Sequence, residues 1–377
     1  MDGMTLSAED RRILADNVER YAARAYPFAH RAAVLRGAEG FDCAVWEEMA
    51  GLGLLGLGLP EASGGTGGSL RDLGIALQAI GRHLMMEPFL GTAAVCAPLV
   101  AALDPDGAVL DLAPVVEGRV ILALAHGEPQ LGLARGPITT RAAGGGKDGR
   151  LTGRKGFVLD GPVADHLLVT ASEEGGTLGV YLVDPAAAGL TMTAAHSVDG
   201  RRIAELVLEE VPARRLSTSD AAPAIGRALD RGAVAAGFEA AGSMRLLVEV
   251  TAEHLRTRRA FGRTLSKFQV LQHRMVDMHI LAEETLAVVE AAADAADAGA
   301  PEAPRLAAIA KVHASRAARA VAEGAVQLHG GIGVTDELAV SHHFRRLMML
   351  EALFGDAEHH LERLVAMGRA PSPEPAR

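Results

Sequence analysis

The densest cationic run in the chain, Arg256, Arg258, Arg259 and Arg263, encloses Phe261-Gly262. Forked guanidiniums so grouped can clamp an anion, and the same grouping also suits a solvated helix end. A second stretch, Gln327-Leu328-His329-Gly330-Gly331-Ile332-Gly333, sets three glycines within four residues. One glycine is enough to stop a helix, whereas three also let a ligand or a second subunit come close to the backbone. Asp230 heads a segment that reads as a helix running to Arg258, a place that suits an N-cap. His329, His342 and His343 follow no metal-ligand spacing, so no metal is assigned, and His126 and His166 read as turn or surface residues. Cys43 and Cys96 are too few for a disulfide scaffold and read as packing residues of a reduced protein.

These groups must be positioned by three kinds of segment. From Leu6 to about Leu103, residues such as Ile13, Val18 and Tyr21 recur at helical spacing. The loop from Pro60 to Ser69 is too rich in glycine for regular structure, and Ser69 can cap a helix that starts near Leu70. Between about Gly118 and Arg215 the pattern changes to short apolar runs, Val120 to Leu124 and Gly179 to Val183, separated by turns such as Gly144 to Gly149. That pattern predicts a small antiparallel sheet or barrel. Beyond Pro212 and Pro223 the chain is helical again, with Phe268, Leu271, Met275 and Met278 on one apolar stripe. The expected class is α+β: an N-terminal helical domain over 1–117, a central small β-barrel domain over 118–217 and a C-terminal four-helix bundle over 218–377.

Composition agrees with a large core, since 49% of the 377 residues are hydrophobic and only 3% are aromatic. Ala, Leu and Val must therefore fill that core, which favours helices. A formal charge of -10 without a lysine or arginine tract leaves no footprint for nucleic acid. The longest apolar stretch, Met49 to Leu59, carries four glycines and is far short of a membrane span, and the opening residues form no signal peptide. The expectation is a cytoplasmic protein with neither nucleic-acid nor membrane partners.

Taken in order, these segments resemble the acyl-CoA dehydrogenase family over nearly the whole chain. The N-terminal part of the resemblance is Trp46-Glu47-Glu48-Met49-Ala50-Gly51-Leu52-Gly53-Leu54-Leu55-Gly56, then Leu59-Pro60-Glu61 and the Gly64 to Gly68 loop. The central part is Leu151-Thr152-Gly153-Arg154-Lys155-Gly156-Phe157-Val158 with Ala164-Asp165. The most specific part is Arg258-Arg259-Ala260-Phe261-Gly262, Phe268-Gln269, Gln272-His273 and Asp277, followed by Gln327, Gly330, Gly331 and Gly333. The stretches Gln327 to Glu337 and Leu353 to His360 are most similar to the small subunit of pimeloyl-CoA dehydrogenase and to steroid side-chain acyl-CoA dehydrogenases of actinobacteria, some of which are heteromers.

The resemblance implies FAD, held largely across a subunit interface. Arg258 would pair with the pyrophosphate, Phe261, Gln269, Gln327, Gly330 and Gly331 would line the rest of that half, and Asp356 would stand near the flavin. Asp230 would help to bind the adenosine of CoA. It further implies 2,3-desaturation of an acyl-CoA, with electrons passed to an electron-transfer flavoprotein or a similar acceptor. The assembly would be a homodimer, a homotetramer, or a heterotetramer with a related chain.

One element of the family pattern is missing. Taking an α-proton requires a carboxylate, and the two positions at which the family carries it fall on Phe354 and Gly232. Glu351, three residues before Phe354, is a candidate substitute, and Glu239, about two helical turns beyond Gly232, is a weaker one. The alternatives are a catalytically silent subunit whose partner supplies the base, or a flavin-dependent monooxygenase of the same fold. The family's Thr-Glu-Pro flavin contact is Gly127-Glu128-Pro129 here, after His126, and its Trp-Ile-Thr is Phe157-Val158-Leu159, so two polar contacts are lost.

Overall fold

The computed structural model describes residues 6–130, 136–144, 148–217 and 219–369. Ser7 and Asp10 close a capping box at the head of α1 (Ala8–Ala25), which is followed by α2 (Phe28–Arg36) and α3 (Cys43–Gly51). Ser69 caps α4 (Leu70–His83) as the sequence predicts, with Asp72 completing a second capping box. Arg11 donates to the same Asp72 at 2.6 Å, so the cap also fastens α1 to α4. Next come α5 (Phe89–Gly91), a π-helical turn (Thr92–Cys96), α6 (Ala97–Leu103) and α7 (Ala113–Val116). The indole N–H of Trp46 reaches the carbonyl of Gly118 at 3.0 Å, tying α3 to the lead into the strands.

The strands are β1 (Leu122–Ala125), β2 (Arg141–Ala143), β3 (Asp148–Leu159), β4 (His166–Ser172), β5 (Leu178–Val183), β6 (Leu190–His196) and β7 (Arg202–Arg215). Pairing runs from β4 through β2, β3, β7 and β5 back to β4, which closes a small barrel; β1 and β6 lie outside the ring, on β4 and β7. The antiparallel expectation needs correction: β1 and β2 each run parallel to β4. Both reach β4 through a long connection instead of a tight turn, and only such a connection permits parallel pairing. The glycine turn expected over 144–149 lies partly outside the described residues.

The C-terminal part holds α8 (Ala222–Thr257), the two-residue strands β8 (Arg259–Ala260) and β9 (Arg263–Thr264), α9 (Gln269–Asp297), α10 (Ala303–His329), α11 (Ala339–Ala352) and α12 (Ala357–Arg369). Helices α8, α9 and α11 pack around α10, and α12 lies against α10 as well. Helix α8 begins well before Asp230, with Pro223 in its first turn, where a missing N–H costs nothing. Asp230 is therefore an interior residue about two turns into α8 and not an N-cap. Among the described residues, no helix is long and apolar enough to cross a membrane.

Helices α4 and α8 cross unusually closely, and glycines make this work. A Cβ on Gly81 would lie 1.9 Å from the carbonyl oxygen of Glu239, and one on Gly242 would lie 2.0 Å from that of Gln78. Gly74 takes the ring of Phe238 in the same seam. The seam locks the N-terminal helices onto α8, whose N-terminal half carries Gly232 and Asp230.

Candidate functional site

Phe354 and Gly232, distant in sequence, meet in space. A Cβ placed on Gly232 would lie 2.6 Å from Cε1 of Phe354, so the phenyl ring occupies the volume that any side chain at 232 would need. Phe354 stands in the α11–α12 turn at φ 62°, followed by Gly355 at φ 93°. A bulky residue in the left-handed region costs energy and persists only where its surroundings enforce it. Lys311 of α10 supplies part of that enforcement: its buried ammonium donates to the carbonyls of Leu350 and Glu351, 2.7 Å to each. These are terminal carbonyls of α11 that no intrahelical N–H can serve. His360 Nε2 lies 3.0 Å from the carbonyl oxygen of Phe354. The Asp356 carboxylate accepts from the N–H of His359 at 2.9 Å and so caps α12.

The carboxylates considered as substitutes for the base are engaged elsewhere. Both oxygens of Glu351 accept from Arg319 of α10 at 2.9 Å. Glu239 is buried and bidentate on Arg346 at 2.6 and 2.9 Å. The Glu239–Arg346 pair is forked and buried, one of the stronger polar contacts in proteins, and accepting a proton would break it; Glu351 is held by one nitrogen of the more exposed Arg319. Asp230 is paired with Arg363 of α12 at 2.9 Å. It faces a cleft of about 670 Å³ walled by Leu99, Ala102, Val234 and Pro304, with Arg227 at the rim.

On the barrel side, Glu128 is fully buried and serves structure. It accepts from Thr140 Oγ1 at 2.7 Å and from Lys155 Nζ at 3.0 Å. Burial alone would raise its carboxyl, but hydrogen bonds from Thr139 and Thr140, with the Lys155 charge, hold it well below the usual range. Gly156 N–H donates to Gly127 O at 3.0 Å, bringing the two segments expected to contact the flavin side by side.

The cationic run and the glycine cluster also converge. His254, one turn before Arg258, stacks on His329, the residue before Gly330, with centroids 4.4 Å apart. Arg258, Gln269 and Gln327 are exposed, and Phe261 is 90% exposed at the tip of the β8–β9 hairpin. Arg263 covers the ring of Phe268 at 4.2 Å, which stiffens that hairpin. Nothing lies within 4 Å of where a Cβ would stand on Gly330 or Gly331. A bare glycine backbone beside an exposed guanidinium fits a diphosphate in its donor chemistry. The flavin-ring end fits less well, since Gly127 and Leu159 offer no hydroxyl. Val270, Val276, Ile332 and Val334 leave an apolar surface exposed around this cradle.

Three side chains with clear roles were not anticipated: Lys311, Arg363 and Arg231, whose Nε donates to the carbonyl of Ala94 in the π turn at 3.0 Å. Lys311 left a readable signal, a lone lysine within the apolar run from Leu306 to Ala314. Arg363 and Arg231 left none, because their partners are remote in sequence.

Comparison with known proteins agrees with this geometry. Residues 8–103 match the acyl-CoA dehydrogenase N-terminal domain and residues 222–368 the acyl-CoA dehydrogenase C-terminal domain. The chain is 30% identical to acyl-CoA dehydrogenase IpdE2 of Mycobacterium tuberculosis, over 94% of this chain and 96% of that one. Among solved structures it is similar to a Tcur3481-Tcur3483 steroid ACAD variant, with TM-score 0.86 and 31% identity over 96% of this chain and 99% of that one. It is also similar to the ChsE4-ChsE5 complex from Mycobacterium tuberculosis, with TM-score 0.87 and 27% identity over 99% and 100%.

Proposed function

Because the chain belongs to the acyl-CoA dehydrogenase family, FAD-dependent oxidoreductases acting on CH–CH bonds, we propose that it serves 2,3-desaturation of an acyl-CoA as one subunit of a heteromer. In this reading the partner chain supplies the carboxylate that takes the α-proton. The observation that carries the reading is the Phe354 ring packed on Gly232, which fills both positions of the family's base with hydrocarbon. The engagement of Glu351 with Arg319 and of Glu239 with Arg346 supports it, because neither acid is free to substitute. The names of two structural neighbours, each joining two designations, lend further support to a two-chain assembly.

FAD, if held by these residues, would supply a hydride acceptor for the β-carbon. Arg258 would neutralise the diphosphate, Gln269 and Gln327 would hydrogen-bond the adenosine half, and Gly330 and Gly331 would let it lie against the backbone. The exposed apolar surface around them would be covered by the partner, which excludes water from that half of the site. Asp230 and Arg363 would border the adenosine end of the bound CoA through the cleft they share, and the steroid named for one neighbour favours a bulky ring-bearing acyl group. Electrons would leave to an electron-transfer flavoprotein or a similar acceptor.

The test is the visible spectrum of the chain purified alone, followed by anaerobic titration with acyl-CoAs of straight-chain and ring-bearing type. The expected result is that no acyl-CoA bleaches flavin on this chain alone, while a complex with a base-carrying partner is bleached. Bleaching of the isolated chain by any acyl-CoA would overturn the reading.

A further inference from the structure

Seven ionisable side chains from all three parts of the chain meet in one buried junction. Arg31 of α2 and Glu87, just before α5, come from the N-terminal helices; Asp160, Asp199 and Arg201 come from the barrel; Glu239 of α8 and Arg346 of α11 come from the C-terminal helices. Each is at most 4% exposed. Arg346 binds Glu239 through two nitrogens and Asp199 through the third at 2.8 Å. Arg201 reaches the backbone carbonyls of Met85, Met86 and Glu87 and lies 3.8 Å from Glu239. Arg31 donates to the carbonyls of Leu84 and Asp199.

The charges in this junction do not balance. Three guanidiniums, Arg31, Arg201 and Arg346, stand against four carboxyls, Asp199, Glu239, Glu87 and Asp160. A net buried negative charge is costly in a medium of low dielectric constant, and taking up one proton removes it. Two of the acids are suited to hold it. Oδ2 of Asp160 and Oε2 of Glu87 are buried without a hydrogen-bond partner among the described residues, whereas both oxygens of Glu239 are taken by Arg346 and those of Asp199 by Arg346 on one side and by Ser197 and the Arg201 N–H on the other.

We propose that this junction is a proton-dependent latch between the three parts of the chain, closed while Glu87 or Asp160 carries a proton and loosened when both are ionised. It stands whether or not the heteromer reading does: the two share only the Glu239–Arg346 pair, and none of its groups lies in the Gly232–Phe354 contact that carries that reading. Burial pushes the Asp160 carboxyl up to about 6 and the Glu87 carboxyl up to about 7, in each case against the lowering effect of Arg201. The other groups facing the pair are Asp42 with its partner His30, Tyr21 and Tyr26 on the Glu87 side, Cys96 on the Asp160 side, and His342 against Arg31. Because the folded values lie above the unfolded ones, the contribution to stability is complete below about pH 4 and is lost as pH rises through 6 to 7.

The experiment compares denaturant unfolding of the full chain with that of Asp160→Asn, Glu87→Gln and the double variant from about pH 5 to pH 8.5. The unmutated chain is expected to lose stability between pH 6 and 8, and the double variant to lose that dependence and to exceed it in midpoint at pH 8. A loss of stability between pH 6 and 8 that persists in the double variant, or a variant less stable than the parent at pH 8, would overturn the latch. Infrared spectra of the unmutated chain give a second readout that needs no variant. A protonated carboxylic C=O stretch is expected near pH 6 and gone by pH 8.5, and its absence at pH 6 would equally refute the proposal.

Discussion

Phe354 is the residue on which the proposed function turns, because its ring stands where the sequence resemblance would put a proton acceptor. Its packing on Gly232 can be measured by a double-mutant cycle. Gly232→Ala pushes a methyl into the ring, costing roughly 1–3 kcal/mol, and Phe354→Ala removes a ring that is only partly buried, costing roughly 2–4 kcal/mol. The double variant should be less destabilised than the sum of the two, because the clash at 232 requires the ring at 354. Strict additivity in urea unfolding would mean that the two do not touch. Lys311 supports the same turn. Lys311→Met should cost on the order of 2–4 kcal/mol by leaving the Leu350 and Glu351 carbonyls unserved, read as a fall in urea midpoint.

The crossing of α4 and α8 depends on glycines at the contact points, and their replacement should be felt by both helices at once. Gly81→Ala or Gly242→Ala would drive a methyl to about 2 Å from a backbone carbonyl oxygen, which cannot rotate away as a side chain could. Each is expected to cost more than about 3 kcal/mol or to prevent folding, whereas Gly226→Ala, with open space around it on the same helix α8, should be neutral or mildly stabilising. Comparison of thermal midpoints for the three variants tests this. The β8–β9 hairpin makes the opposite prediction. Arg258→Ala lies in an exposed loop and should leave the thermal midpoint of the flavin-free chain unchanged. The same change should reduce FAD content in the assembled complex at least tenfold in apparent affinity, about 1.4 kcal/mol, as read by flavin absorbance after gel filtration.

The whole molecule responds to acid through groups of opposite sign. His343 is enclosed beside Ser243 at 2.6 Å, and burial lowers its imidazole to about 3. Glu128 is held below its ordinary range by its hydrogen bonds and Lys155. Both have folded values beneath their unfolded ones, so both contribute stability that is present above the unfolded value and lost as pH falls. For His343 the loss begins below about pH 6.5, and for Glu128 below about pH 4. Replacing His343 with Gln should therefore flatten stability between about pH 6.5 and 4, whatever its effect at pH 8, as read by chemical denaturation. With the junction acids acting in the other direction, stability should pass through a maximum on the acid side of neutrality.

The order of helical, strand and helical segments was legible in sequence because it rests on local periodicity and on punctuation by glycine and proline; the Ser69 cap was legible for the same reason. The family was legible because motifs keep their spacing along the chain, and the same spacing is what assigns its base positions to Phe354 and Gly232 in the proposed function. The parallel pairing of β1 and β2 with β4, the early start of α8, the ion pairs of Glu351 and Asp230, and the buried junction were not legible. Each depends on groups that are remote in sequence and become partners only when elements pack, and hydrophobic periodicity records which face is buried without recording what lies against it. The sequence determined which side chains this protein owns and which it lacks, while the tertiary structure decided which acids are already engaged, since a carboxylate's capacity to take a proton depends on its neighbours in space.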